Sequence, residues 1–138
     1  MYMTSEKEKQ FSEFFVGYVR AALWSSTDTH PETGEEVHLD ECEESDSLRE
    51  NLKQSAFKFF TENYLLLVKY GEERVFDEAD GSFWEHAGHD FWLNRCGHGS
   101  GFWDQDSDAG NELDELVGYG TEYPPVDLYL GDDGFVYC

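Results

Sequence analysis

Glu85-His86-Ala87-Gly88-His89-Asp90-Phe91-Trp92-Leu93-Asn94-Arg95-Cys96-Gly97-His98-Gly99-Ser100-Gly101-Phe102-Trp103-Asp104 is the stretch on which the fold turns. From His89 to Arg95 it is aromatic and β-prone, and Ser100 to Asp104 is a second aromatic run. Cys96-Gly97-His98-Gly99 between them has turn chemistry, so the pair reads as a β-hairpin. Helices then precede hairpins along the chain. The fold class this predicts is α+β, with two amphipathic helices packed on a small antiparallel sheet made of C-terminal hairpins.

Downstream, residues 111–118 carry Leu113, Leu116 and Val117 at helical spacing, and Pro124-Pro125 ends that segment. Val126–Leu130 and Phe135–Tyr137 flank Gly131-Asp132-Asp133-Gly134, which predicts a second hairpin. Upstream, Ser47-Leu48-Arg49-Glu50 has the form of a capping box. The stripe Leu48, Leu52, Phe59, Leu66 and Leu67 predicts one helix running to about Tyr70, with Gly71 as its stop. Residues 71–82 read as a polar, turn-rich connection. The first helix begins at a capping box, Ser5-Glu6-Lys7-Glu8. It carries Phe11, Phe14, Phe15, Tyr18, Val19, Ala22 and Leu23 on one face and ends near Trp24. Between the helices, residues 25–46 form a long connection in which Val37 and Leu39 alternate as a short edge strand. The 138 residues predict a single domain spanning 1–138, with 28–46 as an acidic loop.

Charge excludes several functions. Thirty-one Asp and Glu stand against nine Lys and Arg, a formal net charge of −22. Direct binding to the polyanionic backbone of nucleic acid needs a basic patch, and none is present: Lys7 and Lys9 sit among Glu6, Glu8 and Glu13. Anionic membrane surfaces are excluded on the same ground. Two stretches, Ala21–Leu48 and Cys96–Cys138, hold nine and ten acids and no Lys or Arg. The aromatic residues, 11 Phe, 8 Tyr and 4 Trp, supply core material and argue against disorder.

Three widely spaced cysteines, Cys42, Cys96 and Cys138, with no apolar leader, predict a reducing cytoplasm. Cys42 lies among Glu41, Glu43 and Glu44, which disfavours its thiolate. The longest apolar run, Tyr64–Val68, is too short for a bilayer.

The densest collection of reactive side chains is Glu85, His86, His89, Asp90, Arg95, Cys96, His98 and Asp104. As a metal centre, His86, His89, Cys96 and His98 are acceptable ligands, but their spacing fits no standard zinc pattern. As an enzyme, His89 or His98 would be a general base oriented by Asp90 or Asp104, without a serine elbow or phosphate loop in support. Local hydrogen bonding by these histidines is preferred, so no catalytic residue, cofactor or metal is expected. Arg95 is expected to pair with Asp90, Asp104 or a later acid. Asp127 is expected to face solvent or a basic residue. Trp84, Trp92 and Trp103 with their neighbouring Phe residues could stack bases, but the acidic surroundings favour core packing.

Ala87–Leu93 and Gly97–Asp104 resemble a block, GHDFWLTRNGHGAGFWD, of a largely uncharacterised family of small acidic phage and mobile-element proteins. Ala21–Asp28 and Asp127–Gly134 resemble further segments of that family, in the same order, so the resemblance covers most of the chain. Asn94, Cys96 and Ser100 stand where the family pattern has Thr, Asn and Ala, and Cys96 weakens any asparagine-based site. The resemblance implies a phage setting and no mechanism.

The function this predicts is a DNA mimic that binds and inhibits a host nucleic-acid-binding protein of defence or transcription. Acids one helical turn apart lie roughly 6 Å from one another, close to the spacing of phosphates along a strand. The expected partner-binding residues are Asp28, Glu35, Glu36, Asp40, Glu41, Glu43, Glu44 and Asp46 in one run, and Asp104, Asp106, Asp108, Glu112, Asp114 and Glu115 in the other. The partner is a basic host protein, with a homodimer left open. The alternatives are a phage accessory or structural interaction protein without mimicry, and a small histidine-based enzyme or metal protein.

Overall fold

The computed structural model describes residues 3–73, 81–97, 101–105 and 107–138. Helix α1 spans Ser5–Trp24 and buries Phe11, Phe14, Phe15, Tyr18, Val19 and Ala22 of the expected stripe, whereas Leu23 is half-buried. Its cap is Thr4, one residue earlier than predicted, whose hydroxyl accepts from the Lys7 N–H at 3.2 Å. The acidic connection is not a plain loop. Strands β1 (Thr27–Thr29) and β2 (Glu36–His38) form an antiparallel hairpin, a 3-10 turn at Leu39–Glu41 buries Leu39, and β3 (Glu43–Glu44) follows. Val37 lies in β2 as expected, whereas Leu39 has left the strand.

The single long helix predicted over residues 48–70 is two helices, α2 (Asp46–Glu62) and α3 (Tyr64–Glu73). Ser45, and not Ser47, caps α2 by accepting from the Leu48 N–H at 3.1 Å. The break is Asn63, whose backbone N–H and side-chain amide both donate to the Phe59 carbonyl, at 3.0 and 3.1 Å. The second segment is thereby re-aimed: Leu67 is buried, Leu66 only half-buried and Leu65 80 % exposed. Gly71 does not stop α3. It lies inside the helix, where the Phe83 ring occupies the space a Cβ would need.

The expected hairpin over 89–104 is overturned. Phe83–Cys96 is helix α4, capped by Ser82, which accepts from the Glu85 N–H at 3.2 Å, and closed by Gly97 at φ 69°, ψ 38°. Ser100 lies outside the described residues, and Phe102–Gln105 is a 3-10 turn. From Ala87 to Arg95 every residue except His89 is buried. A helix buried on all sides shows no 3.6-residue period, and a short apolar run of that kind cannot be told from a strand by pattern.

Helix α5 spans Asp108–Leu116, starting earlier than predicted, at its cap Ser107. The second hairpin is present as β4 (Tyr129–Leu130) and β5 (Phe135–Tyr137), shorter than expected. Strand β3 pairs with β5 in parallel, so the sheet is mixed, in the order β3-β5-β4. The class is α+β, but with five helices among the described residues instead of two, and the helices pack chiefly on one another.

Helix α4 supplies the layer the sheet was expected to supply. It crosses α1 with backbone touching backbone. A Cβ at Gly17 would be driven into the Glu85 carbonyl, and one at Gly88 into the Phe14 carbonyl. Only glycine permits that approach at both positions. Around the crossing, Phe91 stacks on Phe59 at 4.2 Å and on Tyr18 at 4.9 Å, and Phe59 meets Tyr123 edge-on at 5.1 Å. Such pairs are each worth about 0.5–1.5 kcal/mol beyond their area.

Candidate partner-binding surface

Of the reactive side chains of the 85–104 stretch, Glu85, His86, His89, Asp90, Arg95 and Cys96 lie on α4, and the fold engages Asp90, Arg95 and Cys96 in hydrogen bonds. The Tyr70 hydroxyl donates to Asp90 Oδ2 at 2.7 Å. Asn94 braces two segments: its Nδ2 donates to the Val117 carbonyl and its Oδ1 accepts from the Phe102 N–H, each at 3.2 Å. Arg95 is 6 % exposed and makes no ion pair with a carboxylate among the described residues, contrary to expectation. Its Nε donates to the Pro124 carbonyl at 2.6 Å and its Nη1 to the Tyr18 hydroxyl at 2.9 Å. The physical reason is helical: Asp90 and Arg95 are five positions apart, which points them to different sides of α4. Burial pushes the Tyr18 hydroxyl up to about 12, with Arg95 pulling the other way.

His86 and His89 sit one turn apart and line, with Gly17, Arg20 and Glu85, a cleft of about 270 Å³ between α1 and α4. His89 also contacts the Trp24 ring at 6.1 Å, and Arg20 pairs with Glu85 at 3.5 Å. His98 falls outside the described residues, so its proposed part in a base or ligand set is not described either. No three His, Cys, Asp or Glu side chains among the described residues converge as a metal set. The Cys96 thiol is turned to the Val126 carbonyl at 3.7 Å and is pushed up by burial, partly offset by that bond and by Arg95. The Cys42 thiol is raised first by burial and then by Glu41 and Asp40. Three of the six aromatics weighed for base stacking are core residues: Phe91, Trp92 and Phe102 are buried, and the Trp92 indole donates to Ser25 Oγ at 2.8 Å, while Phe83 and Trp84 are half-buried. Trp103 is 45 % exposed.

The expected partner-binding acids divide by position. In the first run, Glu35, Glu36, Asp40, Glu41, Glu43 and Asp46 are exposed and make no ion pair among the described residues. Two members of that run serve the fold instead. Asp28 accepts from the N–H groups of Thr29 and Leu130, each at 2.7 Å, tying β1 to β4. The Leu130 bond, then the Thr29 bond, holds its carboxyl below the ordinary range. Glu44 is half-buried and pairs with Arg49 at 3.0 Å. From Asp28 to Glu44 this run is a hairpin, a 3-10 turn and a strand, so helical spacing of charges does not apply to it; Asp46 is the first residue of α2.

Helical spacing does apply to α5. Asp108, Glu112 and Glu115 are exposed at i, i+4 and i+7, one face of the helix, and Asp114 is half-buried. The Asp106 position and the Asp104 side chain lie outside the described residues. Glu115 also lines a cleft of about 630 Å³ with Glu62, Glu122, Leu116 and Tyr123. The first run packs on α1 and the C-terminal strands, the second on α3 and the 3-10 turn, so the two acidic runs sit on different supports. Asp127 is exposed and precedes β4 instead of lying in a strand.

The sequence reading missed a third feature, an apolar cleft of about 560 Å³ along the outer face of α1. Val16 and Trp24 at its floor are 40 % and 62 % exposed. The available signal was Val16, an apolar residue outside the α1 core stripe.

Among the described residues no helix is long and apolar enough to cross a membrane. No family model, no curated protein and no solved structure matches the chain.

Proposed function

We propose that the chain is an acidic binding protein that occupies the basic groove of a nucleic-acid-binding protein and so inhibits it by mimicking DNA. The observation that carries this is the set of exposed carboxylates with no ion pair among the described residues: six in the 35–46 segment and three in a row on α5. On α5 the spacing of about 6 Å per turn approximates that of phosphates along a strand. A charge of −22 steers association with a basic surface and makes it steeply salt-dependent. The resemblance to phage proteins suggests a bacterial host's defence or transcription protein as the target, met in the host cytoplasm. The proposal assigns no reaction, cofactor or metal to the chain.

The test is capture of binding proteins from a bacterial lysate by the immobilised full chain, at low and high salt, with duplex DNA as competitor. Retention of a nucleic-acid-binding protein that DNA displaces supports mimicry. Failure to retain one, or failure of DNA to displace it, refutes mimicry. A second reading, an interaction protein without mimicry, is favoured by the exposed apolar cleft on α1, which no polyanion surrogate requires.

A further inference from the structure

Two turns of α1 carry an apolar face left open among the described residues. Exposed Val16 and Trp24 and half-buried Leu23 floor the cleft of about 560 Å³, with Val19 of the buried core stripe beneath them. From Phe15 to Trp24 the floor is roughly 13 Å long at 1.5 Å per residue, the length of about two turns of a docked helix. A large exposed aromatic at the end of such a groove is the kind of residue that dominates binding energy at protein interfaces.

The rims set the sign of the occupant. Arg20 and Arg49 both reach the cleft, and each is paired with a glutamate, Glu85 at 3.5 Å and Glu44 at 3.0 Å. Arg49 also lies over the Phe15 ring at 5.1 Å. Asp40 is the rim charge with no ion pair among the described residues, and exposed Glu41, Glu43 and Asp46 continue from it along the same segment. An occupant therefore meets an apolar floor and a negative flank. An anionic amphiphile would find its counter-charges already paired.

We infer that this cleft seats an amphipathic helix of the partner that carries Lys or Arg along one flank. Its apolar residues at i, i+3 or i+4 and i+7 lie on the α1 floor against Val16 and Trp24, and its cations face Asp40 at the rim, inside the wider field of the acidic 41–46 segment. A cation passing over Trp24 gains a further attraction from the indole face. The inference rests on the proposed engagement of a basic protein and not on displacement of nucleic acid.

The test uses the full chain and three labelled peptides of about 14 residues, roughly four helical turns. One is an amphipathic Leu/Lys helix, one has the same composition in an order that destroys amphipathicity, and one is an amphipathic Leu/Glu helix. Anisotropy titrations are expected to give at least about tenfold tighter binding for the ordered Leu/Lys helix than for either control, about 1.4 kcal/mol. Trp24→Ala and Val16→Glu, both at exposed positions, each remove most of that advantage while the melting temperature stays within a few degrees of the parent. The triple variant Asp40→Asn/Glu41→Gln/Glu43→Gln weakens binding and flattens its salt dependence. Equal binding of ordered and scrambled Leu/Lys peptides overturns the inference, as does preference for the Leu/Glu helix or indifference to both Trp24→Ala and Val16→Glu. These outcomes are read without DNA, so a failed DNA competition refutes mimicry and leaves them standing.

Discussion

Replacing Gly88 by alanine sets two physical effects of opposite sign against each other. Alanine is favoured over glycine in a helix interior by about 1 kcal/mol, so on propensity alone Gly88→Ala stabilises α4. The structure predicts the reverse. A methyl group at Gly88 meets the Phe14 carbonyl and comes to 2.8 Å from the Tyr18 nitrogen, both backbone atoms of α1 that no rotamer change can move. Relief requires α1 and α4 to separate by something on the order of 1 Å, which forfeits a quarter to a half of each dispersion contact along the seam. That seam includes Tyr18 on Phe91 at 4.9 Å, Tyr18 on Trp92 at 5.6 Å and Phe14 on Phe91 at 5.9 Å. Overpacking at about 1–3 kcal/mol, with weakened ring pairs at about 0.5–1.5 kcal/mol each, outweighs the propensity gain and leaves a net loss of about 2–4 kcal/mol. For a chain of this size that lowers Tm by roughly 10 °C. Thermal melts by circular dichroism and urea midpoints measure it, with Gly71→Ala as comparator. At Gly71 the obstacle is the Phe83 ring, a side chain that can swing aside, so the loss there is smaller. A Gly88→Ala protein as stable as the parent, or more stable, would refute the close crossing.

Arg95→Met removes both donors, from the Pro124 carbonyl and from the buried Tyr18 hydroxyl, and costs about 2–4 kcal/mol in urea unfolding, with Arg95→Lys intermediate. Tyr18 has its folded pKa raised to about 12, so its contribution is complete below about 10 and is lost as pH rises through 12. Tm should fall across that window, and Tyr18→Phe should flatten the fall. Asp28 has its pKa lowered, so its contribution is present above the ordinary carboxylate range and lost as pH falls through the folded value. Asp28→Ala should soften acid unfolding and speed hydrogen exchange at the Leu130 amide about tenfold. Asp108→Asn/Glu112→Gln/Glu115→Gln should reduce the salt slope for a captured basic partner without changing Tm by more than a few degrees, because these carboxylates are exposed.

The 85–104 stretch shows why a distinctive sequence block need not be a reactive site. Gly88 lets two backbones meet, Asp90 holds Tyr70, Phe91 and Trp92 fill the core, Asn94 braces two segments, and Arg95 ties α4 to α1 and to the segment at Pro124. Each is a fold constraint that demands a particular residue type.

From sequence alone, α1 was legible because one of its faces is buried and the other wet, so hydrophobicity repeats at the helical period. The β4–β5 hairpin was legible because Gly131-Asp132-Asp133-Gly134 encodes its turn locally. The acidity was legible because charge is additive and needs no geometry. Helix α4 was not, because burial on nearly every side erased its period, and that burial comes from α1 and Phe59, remote in sequence. The Asn63 break was not legible, since it rests on one residue leaving helical dihedrals, at φ −121° and ψ 21°, with its side-chain amide also taking the Phe59 carbonyl. Nor was the division of acids into those held by the fold, such as Asp28 and Glu44, and those left to solvent. Composition counts charges, but only tertiary packing decides which are already engaged and which apolar face stays open beside them.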